Sequence, residues 1–124
     1  MDRYDDFFLG HNVNEPVAIE VSVRVKNIRE LGDFLTNLGF EITYDGTEKG
    51  KILIDTRPDS HVDNGETYSI ITPALNPQER KQFWSVFKNT IEEYIKICEE
   101  RGEITYNKTG DEKPQICFIR IYWI

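Results

Sequence analysis

The spacing of apolar and polar residues divides the chain into eight elements. From Val17 to Lys26 the letters alternate: Val17, Ile19, Val21, Val23 and Val25 are separated by Ala18, Glu20, Ser22, Arg24 and Lys26. A period of two predicts a strand buried on one face. The period then lengthens to three and four, with Ile28, Leu31, Phe34, Leu35 and Leu38 forming the apolar side of a helix. Asn27 is placed to cap that helix, with Glu30 at the third position as in a capping box. Gly39 ends it, and Phe40 can fold back on the last turn in a Schellman motif. Short apolar runs predict strands over 40–44, 51–55 and 67–72, the last stopped by Pro73. Asp45-Gly46 and Lys49-Gly50 carry the residues that a hairpin between the first two of these needs for positive φ.

The longest periodic stretch runs from Asn76 to Gly102. Phe83, Phe87, Ile91, Tyr94, Ile95 and Cys98 recur at helical spacing and make one apolar stripe. Asn76 as N-cap, Pro77 at the first helical position and Glu79 completing a capping box mark the start. Gly102 marks the end. Such a helix spans roughly 36 Å and needs a sheet under its stripe. Beyond it, 103–107 reads as a strand, KTGDEKP as a turn and 115–124 as a final strand. That strand, QICFIRIYWI, is apolar on nearly both sides, which predicts a central place in the sheet. The order βαβββαββ gives an α+β domain with a mostly antiparallel sheet, both helices on one face, and the look of two βαββ halves.

A length of 124 residues fits a single domain over 1–124. Residues 1–15, MDRYDDFFLGHNVNE, form an amino-terminal arm whose Tyr4, Phe7, Phe8 and Leu9 call for packing against the domain or a partner. The formal net charge of −7 argues against nucleic acid and anionic membranes, where cationic contacts supply most of the affinity. It suits a protein partner with a basic surface, or a basic small molecule. Cys98 and Cys117 both sit in apolar stretches without a CxxC or a Cys/His ligand spacing, as reduced core residues do. Met1-Asp2-Arg3 leads into an acidic-aromatic run in place of an export signal, and no apolar run is long enough to span a bilayer. The cytosol is the expected compartment.

Three places are candidates for chemistry or binding. The loop Asp59–Glu66 offers Asp59, His61, Asp63 and Glu66 as donors, but its glycine and its twelfth position, Ile70, do not follow an EF-hand. No metal site and no cofactor are assigned to it. His11 and His61 lie in no nucleophile or zinc motif, and the glycines form no phosphate-cradling run, so no catalytic residue is named. On the last strand Cys117, Ile119, Ile121 and Trp123 fall on one face; Ile116, Phe118, Arg120, Tyr122 and Ile124 fall on the other. With Glu20, Ser22, Arg24 and Lys26 also pointing away from the helices, a polar-aromatic sheet face is expected. Arg24, Arg120, Tyr122 and Trp123 are its candidate binding residues. The alternative is that the arm covers this face and a carboxylate neutralises Arg120. The third place is the long helix, where Glu92, Glu93, Glu99 and Glu100 are candidate partner-binding residues. Acidic groups near a helix C-terminus oppose the macrodipole, a local conflict that a binding role would explain.

Residues 19–56, with the phrase Leu38-Gly39-Phe40 closing a short helix between strands, resemble the first half of a vicinal oxygen chelate module. Residues 92–106 are similar to the helix that ends in glycine before a strand in the second half. The resemblance implies a paired-module α+β fold, often dimeric. The superfamily's metal ligands have no counterpart beyond Glu20 on the first strand, and the final strand offers no carboxylate. The resemblance therefore points to the branch that sequesters cationic drugs, as bleomycin-resistance proteins do.

Two functions follow as expectations. The first is a small acidic binding protein that occludes a protein partner, of the immunity or mobile-element counter-defence type. The alternative is a dimeric protein that sequesters a small molecule, drug-like or nucleotide-like. A metal-assisted enzyme built on the Asp59–Glu66 loop stands behind both.

Overall fold

A computed structural model describes residues 14–58, 67–107 and 110–122. Most of the amino-terminal arm, the Asp59–Glu66 loop and Trp123 lie outside them. The elements are β1 (Ala18–Arg24), α1 (Ile28–Asn37), β2 (Ile42–Tyr44), β3 (Ile52–Ile54), β4 (Thr67–Ile71), α2 (Pro77–Glu100), β5 (Thr105–Asn107), β6 (Gly110–Glu112) and β7 (Gln115–Tyr122). Five strands make one sheet in the order β2-β3-β4-β1-β7, and β5 and β6 pair separately. The architecture is α+β and mostly antiparallel, as the periodicity predicts.

Three expectations about the strands are corrected. β2 and β3 do not form a hairpin; they pair in parallel, Ile42 with Ile52 and Tyr44 with Ile54. Parallel neighbours usually need a crossover of about a dozen residues, but strands this short need a return path of only about 10 Å. Residues 45–51 provide it. Asp45 itself takes positive φ (60°), as does Gly50 (80°). The Asp45 carboxylate then accepts from the Thr56 N–H at 2.7 Å and the Thr56 hydroxyl at 2.5 Å, tying the end of β2 to the chain beyond β3. Second, Gly110–Glu112 in the predicted turn is a strand, paired with β5. The second half therefore does not repeat the first: of its strands β4 and β7 join the main sheet, while β5 pairs only with β6. Third, β7 is at the sheet edge and β1 is inside. The polar letters of β1 hide this, because Glu20, Ser22 and Arg24 are buried along with the valines.

The inward sides of β1, β3 and β4, with Ile19, Val21, Val23, Ile52, Ile54, Tyr68 and Ile70, meet Ile28, Leu31 and Leu35 of α1 and Trp84, Phe87, Ile91 and Ile95 of α2. Both helices thus cover one face. Asn27 and Asn76 cap the two helices as their letters predict, although only the box at α2 closes. Around α2, Asn76 and Glu79 exchange side-chain to backbone bonds at 2.8 and 2.9 Å, a complete capping box. Gly39 and Phe40 donate to the carbonyls of Thr36 and Leu35, and Gly102 and Glu103 donate to those of Glu99 and Cys98. Each is a Schellman motif.

The two helices run antiparallel. Phe40, just past α1, lies edge-on to Phe83 and Phe87 near the start of α2, with ring centroids 6.0 and 5.6 Å away. Phe34 of α1 meets Tyr94, further along α2, at 5.7 Å. Gly32 explains how α1 settles onto β2: a Cβ there would sit 2.0 Å from the Tyr44 hydroxyl oxygen and 2.8 Å from its ring carbon. Alanine is the better helix former by about 1 kcal/mol, yet Gly32→Ala is expected to destabilise the fold by about 1–3 kcal/mol through overpacking. Urea unfolding of the variant measures this, and a gain in stability would contradict the packing of Tyr44 on Gly32.

Candidate functional site

Helical geometry sorts the four candidate carboxylates of α2 into two rows. Glu92 and Glu99 are seven residues apart, about two turns, so they stand nearly one above the other; Glu93 and Glu100 do the same about 100° further round. All four are exposed, and none enters an ion pair among the described residues. The inner stripe of α2 is directed at the sheet, so these rows are its outward face. No residue of the last turn is basic, and the carbonyl end of the helix adds its own partial negative charge there. The result is a rigid, acidic ridge.

The row of Glu92 and Glu99 borders a groove of about 320 Å³ between α2 and β7. Ile95, Ile116 and Ile119 form its apolar part, and Lys88 and Lys96 complete the rim. Ile116 is on this side because the register of β7 against β1 shifts between Ser22 and Val23, pairing Ile116 with Val23. Strict alternation puts Ile116 with Phe118 instead, so the bulge corrects that expectation.

The predicted polar sheet face is present but closed at its centre. Arg24 is only 5% exposed and Ser22 only 1%. Small residues on an inside strand account for part of this, since Ala18 lies opposite Tyr122 and Ser22 opposite Phe118. Arg120, directly across from Glu20, donates its Nε–H to that carboxylate. Its guanidinium also lies 5.7 Å from the Phe118 ring centroid, while 59% of its side chain stays exposed. The structure therefore brings Arg120, Glu20 and Phe118 together. Arg24 lies further along β1, beside Thr67 and Gln115, and Tyr122 is half-buried at the far end of β7.

A cluster that sequence reasoning missed joins the start of α1 to the end of α2. Asn27 accepts from the Glu30 N–H at 3.1 Å, but the Glu30 carboxylate does not complete the predicted box. It accepts instead from the Tyr94 hydroxyl at 2.8 Å and from Arg101 at 2.6 Å. Arg101 also reaches Glu103 at 3.4 Å. Ligand atoms of Glu30, Cys98 and Glu103 lie within 4.8 Å of one another. The Arg101 guanidinium already supplies the positive charge that a metal would bring to such a group, so the arrangement works as a latch. Hydrogen bonds from Tyr94 and then Arg101 hold the Glu30 carboxyl below its ordinary range. Burial is the main cause that pushes the Tyr94 hydroxyl and the Cys98 thiol up.

Arg80 was equally hidden from the sequence. It is 1% exposed and donates to the carbonyls of Leu75 at 2.7 Å and Glu15 at 3.1 Å. Its letter reads as solvated helix surface; only the chain path before α2 and β1 shows what it binds. Among the described residues no helix is long and apolar enough to cross a membrane. Comparison of the chain with protein families, with curated proteins and with solved structures found no match.

The latch sets a pH dependence. A carboxyl with a lowered pKa when folded adds stability above its unfolded pKa of about 4.3, and that stability is lost as pH falls through the lowered value. Glu30→Gln is therefore expected to be less stable than the parent at pH 7 and to converge with it toward pH 2. Tyr94→Phe, which loses one bond to a charged acceptor, is expected to cost about 1–2 kcal/mol at pH 7. Chemical denaturation at both pH values reads each effect; a constant gap for Glu30→Gln at all pH would refute the latch.

Proposed function

We propose that this chain is a non-catalytic binding protein that occludes a partner protein bearing a basic surface, in the manner of immunity proteins and counter-defence inhibitors. The observation that carries this reading is the acidic ridge: Glu92, Glu93, Glu99 and Glu100 are exposed on one rigid helix and make no ion pair among the described residues. Arg101, just past the end of α2, is engaged with Glu30, and Lys96 stands exposed between the two rows. Carboxylates left in water at a helix C-terminus do not help the helix, and a cationic partner gives them an interaction. A net charge of −7 adds long-range attraction that speeds encounter and weakens with salt.

Sequestration of a small molecule around Arg24, Arg120, Tyr122 and Trp123 has less support. Arg24 is buried and Arg120 is already neutralised by Glu20, so the two arginines do not present a common anion site. A partner for Arg24 or Arg120 would have to displace contacts that the fold uses.

Glu93→Lys combined with Glu100→Lys tests the ridge without touching the groove side of α2. The expected result, read by native mass spectrometry of the full chain isolated from its host lysate, is a protein complex of fixed stoichiometry. The double variant should lose that complex, and raising salt should weaken it. A complex indifferent to both changes would contradict the ridge, and a small added mass in place of a protein would favour sequestration.

A further inference from the structure

We propose that the chain pairs with a second copy of itself across the edge of β7, with the groove flanks of the two α2 helices side by side. β7, with eight residues, is the longest of the described strands and stands at the edge of the main sheet. Edge strands are usually protected by brevity, by lysines, by an internal proline or by a bulge. β7 has no lysine or proline between Gln115 and Tyr122, and its bulge next to Ile116 leaves Phe118–Tyr122 in regular register. Its one charge, on Arg120, is engaged with Glu20. Phe118 and Ile121 remain half-exposed. An edge of this kind is built to be continued by another strand.

The rim of the neighbouring groove says which strand. Lys88, Glu92, Lys96 and Glu99 follow one another along the flank of α2 beside β7, over a length of about 17 Å. A dyad perpendicular to the sheet makes β7 antiparallel to its copy and, by the same operation, α2 antiparallel to its copy. In that arrangement Glu92 of each chain faces Lys96 of the other. The two pairs are matched across the dyad, and no like charges meet there. A purely basic foreign strand would meet two lysines on the same rim. The apolar sides of the two grooves, with Ile95, Ile116 and Ile119, would meet at the dyad and leave water together. The dimer takes up the ridge row of Glu92 and Glu99, and the row of Glu93 and Glu100 stays outside this contact and remains for the occluded partner.

Sedimentation velocity on the full chain tests the pairing. The expected mass is twice the 14.6 kDa of the single chain. Glu92→Lys sets three lysines in a row on each rim and is expected to weaken the dimer at least about tenfold, since close interfacial charge pairs commonly contribute that much. Glu92→Lys with Lys96→Glu reverses the pair and is expected to restore the dimer. Both positions are exposed, and circular dichroism checks that each variant is folded. A monomeric parent would overturn the proposal and leave the edge to a different strand. A dimer unaffected by Glu92→Lys, or one that the double change does not restore, would overturn the proposed contact.

Discussion

The antiparallel packing of α1 on α2, fastened at both ends, is the constraint on which the rest of this structure depends. At one end Phe40 inserts against Phe83 and Phe87. At the other Glu30 receives Tyr94 and Arg101. Between them the helices close over a sheet whose inside strand, β1, is buried along its whole length. Each fastening grows out of a helix terminus. Phe40 is the residue that follows the glycine of a Schellman motif, and Glu30 is the third residue of a helix whose cap is Asn27. Local signals that end helices therefore also set how the helices meet.

Holding α2 this way divides its labour. Its inner stripe of Trp84, Phe87, Ile91, Tyr94 and Cys98 is buried. Arg80 anchors its first turn to the backbone of Leu75 and Glu15. The outward carboxylates take no part in either job. A helix fixed from inside can carry charges outside that do nothing for folding, and a partner then meets a surface already in its bound geometry. Such preorganisation limits the entropy lost on association. The sheet shows the reverse arrangement: Arg120 and Glu20 answer each other across β1 and β7, so charge there is consumed by the fold.

Much of this was legible in the letters. Helix ends, the capping asparagines and most of the apolar stripe of α2 are local and periodic, and they appear where sequence reasoning puts them; Trp84, outside the predicted stripe, is buried, and Phe83 within it is only half-buried. The failures share a cause. Whether β2 and β3 are antiparallel, whether β7 is central, and whether Glu30 caps its own helix or reaches Tyr94 are all decided by segments far apart in the chain. Ile116 changed faces through a bulge that no single residue announces. Arg80, Glu20 and Arg24 are buried charged residues, and composition treats such letters as solvent-facing. The acidic ridge was readable because exposed helix positions follow from spacing alone.

The central claim is that the ridge carboxylates serve binding and not folding. Thermal unfolding of the chain with Glu93→Gln and Glu100→Gln tests it most directly. Removing one charge from the last turn of α2 and another from two turns earlier should leave Tm unchanged or raise it by a degree or two. A fall of more than about 5 °C, a scale that for a domain of this size corresponds to roughly 1 kcal/mol, would show that these side chains hold the fold together and would contradict the account.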